Sequence, residues 1–279
     1  MSDAPVLRIQ PPAFLVEPAL AAVMAALPEA RVIGGAVRDT LTRRDVAEID
    51  LATPRTPEQV TEVLQAAGIR AVPTGIGHGT VTAVVDGRGF EVTTLRRDVE
   101  TDGRHAVVAF TDDWRADAAR RDFTINAMSL TRTGEVFDYF GGVSDLHAGI
   151  LRFVGDPATR IAEDYLRILR FFRFFARYGR GTADPAALAA IRGGLPGLAR
   201  LSVERVWSEL ARMLAASDPR AAVTLMVEAG VLDAVLPEGA DPARLARLVE
   251  SGAPRDPLLR LAALLTGDAA ALSARLRLS

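Results

Sequence analysis

The hydrophobic period of this chain changes near residue 154, and that change limits the possible folds more than any other feature. Before it, short apolar runs alternate with Gly and Thr and are interrupted by turn signals. Arg31 to Gly34, Ile49 to Thr53, Thr80 to Val85, Phe90 to Thr94 and Asn126 to Leu130 read as strands. Pro18 to Leu27, Ala36 to Leu41, Pro57 to Ala67 and Asp112 to Arg121 read as helices, and Asp86-Gly87 predicts a hairpin turn. Beyond residue 154 the spacing is helical throughout: Ile161 to Tyr178, Pro185 to Arg192, Val203 to Ala216, Pro219 to Ala229, Pro242 to Ser251, Pro257 to Leu265 and Leu272 to Leu278. The expectation is an α/β N-terminal part with a mixed β-sheet, followed by an all-α part.

Composition removes several chemistries. Cysteine is absent, which excludes disulfides, thiolate catalysis and cysteine-ligated metals. All 33 basic residues are arginine, so no lysine is available for a Schiff base or a P-loop. His78, His105 and His147 stand far apart, a poor start for zinc. A net charge of −2 means that any nucleic-acid contact must come from local arginine clusters. The start of the chain is not a basic leader, and the apolar run Ala19 to Leu27 is too short to span a bilayer. A cytoplasmic protein without membrane, disulfide or zinc partners is expected.

Val32-Ile33-Gly34-Gly35-Ala36-Val37-Arg38-Asp39 runs from a strand into a helix. Its glycines let the backbone approach an anion, and the helix start offers N–H groups to phosphate. A plain tight turn is the alternative. Further on, Glu48-Ile49-Asp50 puts two carboxylates on one strand face, where hard oxygen ligands suit Mg²⁺. A solvated acidic edge is the alternative. Glu91 supplies a third acid if its strand lies beside that one. Arg160, Arg167, Arg170, Arg173, Arg177 and Arg180 stand against Glu163 and Asp164, with Arg167, Arg170, Arg173 and Arg177 on one helical face. That face can meet RNA phosphates or simply be solvated. The phenylalanines opposite it read as core.

Together these segments resemble the polymerase-beta-type nucleotidyltransferase superfamily, and within it the class II tRNA nucleotidyltransferases (CCA-adding enzymes) and bacterial poly(A) polymerases. The resemblance is carried by the glycine and acid segments above and by Arg120-Arg121-Asp122-Phe123-Thr124-Ile125-Asn126-Ala127. Asp138-Tyr139-Phe140-Gly141-Gly142-Val143-Ser144-Asp145-Leu146, Glu163-Asp164-Tyr165-Leu166-Arg167-Ile168-Leu169-Arg170 and Glu204-Arg205-Val206-Trp207-Ser208-Glu209-Leu210 complete it in order. Gly75 to Thr80 is more similar to the CCA-adding branch. In one departure, Glu48 stands where the family has aspartate, which adds a methylene and moves the oxygens by roughly 1.5 Å.

The resemblance implies a nucleotidyltransferase head over 1–153, a base-selecting neck over 154–216 and the start of a helical body over 217–279, in a shortened chain whose tRNA affinity is weak. It implies template-independent addition of CCA to tRNA 3′ ends from CTP and ATP by a two-metal mechanism. Poly(A), A-only or C-only addition, and a non-catalytic RNA-binding module, remain alternatives. Glu48, Asp50 and Glu91 are the implied catalytic acids, with Mg²⁺ on Glu48 and Asp50. Gly34, Gly35, Arg38, Arg121 and Asp122 are implied at the triphosphate and ribose. Asp164, Arg167 and Arg170 are implied at the nucleotide, and Arg173 and Arg177 at RNA. A flexible loop is implied between Arg97 and Asp117, where His105 is either a nucleotide contact or a surface residue.

Overall fold

In the computed structural model, which describes residues 4–75, 77, 79–102 and 105–277, the strands lie in one compact unit, Met1–His147. They are β1 (Leu7–Arg8), β2 (Arg31–Ile33), β3 (Asp50–Thr53), β4 (Arg70–Gly75), β5 (Thr80–Val85), β6 (Arg88–Thr94), β7 (Arg96–Asp102), β8 (His105–Phe110), β9 (Met128–Leu130) and β10 (Glu135–Asp138). Eight form one sheet in the order β1-β10-β9-β2-β3-β6-β5-β4, and β7 pairs with β8 separately. The sheet is mixed, as expected: β3 runs parallel to β6 and antiparallel to β2. Asp86 and Gly87, both at positive φ, form the β5–β6 turn that their sequence predicts.

The helices of this unit are α1 (Pro18–Ala26), α2 (Gly35–Leu41), α3 (Pro57–Ala66), α4 (Trp114–Ala119) and α5 (Gly142–Ala148). A capping box starts α3: the Thr56 hydroxyl accepts from Gln59 N, and the Gln59 amide accepts from Thr56 N. Leu20, Val23 and Met24 of α1 and Val60 and Leu64 of α3 are buried. These helices pack with β5, whose Val81 and Ala83 are buried too. Alternation therefore turns Asp50 and Glu91 to the other face of the sheet. On that face Ala52, Ile33, Leu95 and Trp114 form an apolar cluster.

The stretch from Arg97 to Asp117, whose sequence shows no clear strand period, continues as the β7–β8 hairpin and then enters α4, the helix expected from Asp112 to Arg121. Its pairing partners lie within the stretch itself, and its charged residues mask the strand period. The readings on Ile76, His78, Gly103, Arg104 and Leu278 fall outside the described residues, as does the His105 side chain. Strands β1, β4 and β10 were not foreseen. β4 carries Pro73 and lies at the sheet edge, where a missing N–H is tolerated.

The second unit, Ala148–Ser279, contains α6 (Pro157–Glu163), α7 (Leu166–Tyr178), α8 (Pro185–Gly194), α9 (Val203–Leu214), α10 (Arg220–Glu228), α11 (Val231–Val235), α12 (Pro242–Glu250), α13 (Pro257–Leu264) and α14 (Ala269–Leu276). Asp-Pro pairs open α6, α12 and α13, where Asp156, Asp241 and Asp256 accept from first-turn N–H groups and Pro takes the first helical position. α7 packs against α9 and α10. Phe171 and Phe172 are fully buried, and Phe171 stacks on Phe153 and Phe175 with centroids 5.9 and 6.2 Å apart. The phenylalanine cluster is core, as its spacing predicts.

The expected single helix from Ile161 to Tyr178 is two helices. Asp164 is extended, with φ −154° and ψ 107°, and its carboxylate accepts from Leu166 N to start the second helix. Tyr165 turns its ring onto Gly197, where an added Cβ would fall 2.0 Å from the ring. The break is therefore held by a packing contact that sequence periodicity cannot show. Among the described residues, no helix is long and apolar enough to cross a membrane.

Candidate active site

β2 ends in the turn that starts α2. Gly34 sits there at φ 66° and ψ −125°, a conformation open to glycine and costly for other residues. A Cβ at Gly34 would lie 3.3 Å from an Arg121 guanidinium nitrogen, so the bare backbone and Arg121 face one another. Gly35 opens the helix and lies close to Arg38.

Asp50 and Glu91 are in register on the parallel strands β3 and β6, so their side chains project side by side on one face. Glu48 is placed differently from its prediction. β3 begins at Asp50, and Glu48 precedes it in an unpaired, exposed segment. Ile33 pairs with Asp50 as the last rung on one side, where β2 turns away at Gly34, and on the other side the β3–β6 ladder also begins at the Asp50–Glu91 rung, so residues 48 and 49 lie outside both ladders. The acids that the sheet holds in register are Asp50 and Glu91, and Glu48 lies outside the strand but beside the same groove. The Asp50 carboxyl is pushed above its ordinary value, first by loss of solvent and then by the like charges of Glu91 and Glu48, against an opposing pull from Arg121. A groove of about 600 Å³ opens beside these acids and is also lined by Phe14, Glu17 and Arg88. Among the described residues, no group of three or more His, Asp or Glu side chains is gathered tightly enough to hold a metal by itself. Adjacent like-charged carboxylates are nevertheless the donor set that a hard divalent cation relieves.

Arg38 does not project into the open. It is buried, and it donates to both Asp39 oxygens and, over 2.5 Å, to Asn126 Oδ1. The Asn126 amide donates over 3.0 Å to Asp122 Oδ1, which also accepts from Phe123 N. Arg38 thus holds Asn126 and, through it, Asp122, while its guanidinium stays beside Gly35 of the turn. Asn126 is a member of this network that residue-by-residue reading of the sequence missed.

Arg121 donates over 3.0 Å to Asp117, and Arg120 binds the other oxygen of the same carboxylate at 2.8 Å. Burial works to raise the Asp117 pKa, but the two guanidinium groups together hold it below the usual range. Asp117 was missed as well, although its i, i+3 and i, i+4 spacing to the two arginines was available. Asp138 and Asp145 are architectural: Asp138 accepts from Phe140 N and Val143 N, and Asp145 accepts from the Thr124 hydroxyl.

In the second unit, the Arg167 N–H donates to Asp164 O at 3.0 Å, but the two side chains have different partners. Asp164 accepts from Arg205 of α9 at 2.7 Å. Arg167 pairs with Glu163 and donates to Arg160 O. Arg173 is not an open RNA contact, since it pairs at 2.5 Å with buried Glu209. Arg170 and Arg173 lie over Phe174, and exposed Arg177 lies over Tyr178. The predicted cationic strip is therefore divided, with Arg173 turned to α9 and Arg177 at the surface.

A mixed sheet with registered acids beside a glycine turn is the architecture of a nucleotidyltransferase head. Residues 30–152 match the Poly A polymerase head domain, and residues 182–241 match a probable RNA and SrmB-binding site of polymerase A. The mitochondrial CCA tRNA nucleotidyltransferase 1 of Danio rerio is 48% identical over 206 residues, which are 73% of this chain and 48% of that protein. The CCA-adding enzyme of Anoxybacillus flavithermus is 40% identical over 212 residues, 75% of this chain and 52% of the relative. The crystal structure of the Bacillus stearothermophilus CCA-adding enzyme in complex with CTP superposes with a TM-score of 0.68 at 30% identity, covering 85% of this chain and 58% of that one. The chain belongs to the family of CCA-adding tRNA nucleotidyltransferases and bacterial poly(A) polymerases. It spans about half the length of the curated relatives it matches.

Proposed function

We propose that this chain carries the nucleotide-transferring part of a template-independent enzyme that adds C, C and A to tRNA 3′ ends from CTP and ATP. The observation that carries the reading is the register of Asp50 with Glu91 beside the Gly34 turn and Arg121. The names of its relatives, and the CTP in one related structure, support the substrate class. Asp50 and Glu91, with Glu48 nearby, would supply the protein oxygens to Mg²⁺, and phosphate oxygens of the nucleotide would supply further ligands. Bound there, the ion supplies a lowered pKa for the attacking hydroxyl and charge neutralisation on the triphosphate. The segment before β3 has no strand partner, which leaves its backbone free to absorb the extra methylene of Glu48.

The chain's own groups do the positioning. Gly34 and Gly35 leave room for phosphate oxygens near the N–H groups of α2. Arg121 places a guanidinium opposite that backbone. Asp122, oriented by Asn126 and Arg38, offers a carboxylate to a ribose hydroxyl, which favours ribonucleotides. Asp164 accepts from, and Arg167 donates to, a nucleobase edge in the pattern of C or A. Arg205 and Glu163 hold those two side chains. Arg170 and Arg177 are the remaining cations proposed for nucleotide and RNA phosphates. On this reading 1–153 acts as catalytic head, 154–216 as base-selecting neck and 217–279 as the start of a body.

Incubating the chain with tRNA lacking its terminus, Mg²⁺ and labelled CTP and ATP tests the proposal. Ordered incorporation of C, C and A is expected. Incorporation of A alone would replace the reading with a poly(A) or A-adding activity, and retained tRNA binding without incorporation would replace it with an RNA-binding module.

A further inference from the structure

Asp117 is not one of the registered acids, yet its surroundings connect three parts of the first unit. It is 3% exposed. One carboxylate oxygen accepts from Arg121 at 3.0 Å. The other accepts from Arg120 Nε at 2.9 Å and from the backbone N–H of Arg96, the first residue of β7, at 3.3 Å. Arg121 has one guanidinium nitrogen on this carboxylate and the other against the Gly34 turn. A planar guanidinium tethered at one nitrogen has its remaining donors aimed by the tether. Arg121 lies just beyond the end of α4, with its N–H still donating to Ala118 O at 3.2 Å.

We infer that Asp117 is a positioning residue: it aims Arg121 at the Gly34 turn and anchors that arginine to the root of the β7–β8 hairpin. The inference rests on the proposed nucleotide-transferring function, because it assigns Arg121 to the triphosphate. Without the tether, the arginine samples other rotamers, and each binding event must first restore the aimed one. The cost falls on nucleotide binding before it falls on the chemical step.

The test is a double-mutant cycle of Asp117→Asn and Arg121→Ala, with CTP binding measured by equilibrium titration and KM and kcat measured on tRNA lacking its terminus. The parent chain is assayed first. If it incorporates nothing, the functional reading fails and Asp117 has not been the cause. With an active parent, D117N is expected to raise the Kd and KM for CTP about tenfold while kcat changes less than about threefold. In the R121A background, the same change is expected to alter Kd less than about twofold. Equal losses in both backgrounds would overturn the inference, since they would show Asp117 acting without Arg121. An unchanged Kd in D117N would overturn it as well. Asp117→Glu serves if the buried Asn prevents folding: it keeps the charge but shifts the anchor by roughly 1.5 Å. A Kd for D117E within twofold of the parent would count against the inference, and a rise abolished by R121A would support it.

Discussion

In the first unit Asp50 and Glu91 stand side by side with Glu48 near them, and the Asp50 carboxyl is pushed up by that crowding and by lost solvent. In the second unit the acids are matched: Glu163 holds Arg167, Asp164 holds Arg205, and Glu209 holds Arg173. Like charges kept together store a repulsion that an added cation relieves. Opposite charges closed on one another fix each other's side chains. The first arrangement suits a ligand that arrives from outside, and the second suits side chains that must already be oriented. Asp117 belongs to the second kind although it lies in the first unit.

Substitutions can break this contrast. Asp50→Asn should lower nucleotide incorporation by about a thousandfold, because charge stabilisation at the reacting centre is lost. It should leave Tm equal to or above that of the parent, because it also removes a like-charge repulsion. A large fall in Tm on differential scanning would show that the acids are held by structural partners instead. Arg173→Ala should do the reverse, costing about 3 kcal/mol in urea unfolding by leaving Glu209 buried without its cation. Replacing both partners by apolar residues, Arg173→Met with Glu209→Leu, should recover most of that loss. If the double variant is no more stable than R173A, the pair is more than an ion pair.

Smaller effects sharpen the comparison. Gly34→Ala should cost about 1 to 3 kcal/mol from the positive φ and should weaken CTP binding by crowding Arg121. Unfolding and CTP titration measured on the same preparation separate the two effects. The smallest effect is on acid stability. The folded Asp117 carboxyl titrates below its ordinary value of 3.8, so its contribution is fully present above that value and is lost as pH falls through the lower folded one. The stability difference between the parent and D117N should therefore shrink as pH is lowered below about 4. A difference that stays constant down to the acid limit would show that the clamp contributes no net charge energy.

Local patterns made much of the fold legible. Thr80 to Val85 alternates and is bounded by turn residues, so its strand is readable residue by residue. Asp-Pro pairs mark helix starts without any tertiary information, because both the cap and the ring act within one turn. The Glu91 alternation was readable too, but its adjacency to Asp50 was conditional, since a strand's neighbour is chosen by the whole sheet. Strand β7 was hidden because its partner β8 supplies the pairing that its charged pattern does not advertise. The break at Asp164 was hidden because it depends on Tyr165 meeting Gly197, which is distant in sequence.

The chain's own order of residues determined which chemistry was on offer: carboxylates, arginines and a glycine turn, with neither thiol nor lysine to compete. It also set the switch from strand to helix, because a two-residue and a 3.6-residue period are local properties of the backbone. Tertiary structure decided which charges meet. It paired Asp50 with Glu91 across a parallel rung, turned Arg38 inward to Asn126, closed Arg173 onto Glu209 and tethered Arg121 to Asp117. Coulomb interactions and hydrogen bonds act over a few ångströms of space, and only the folded chain determines which groups lie within that distance.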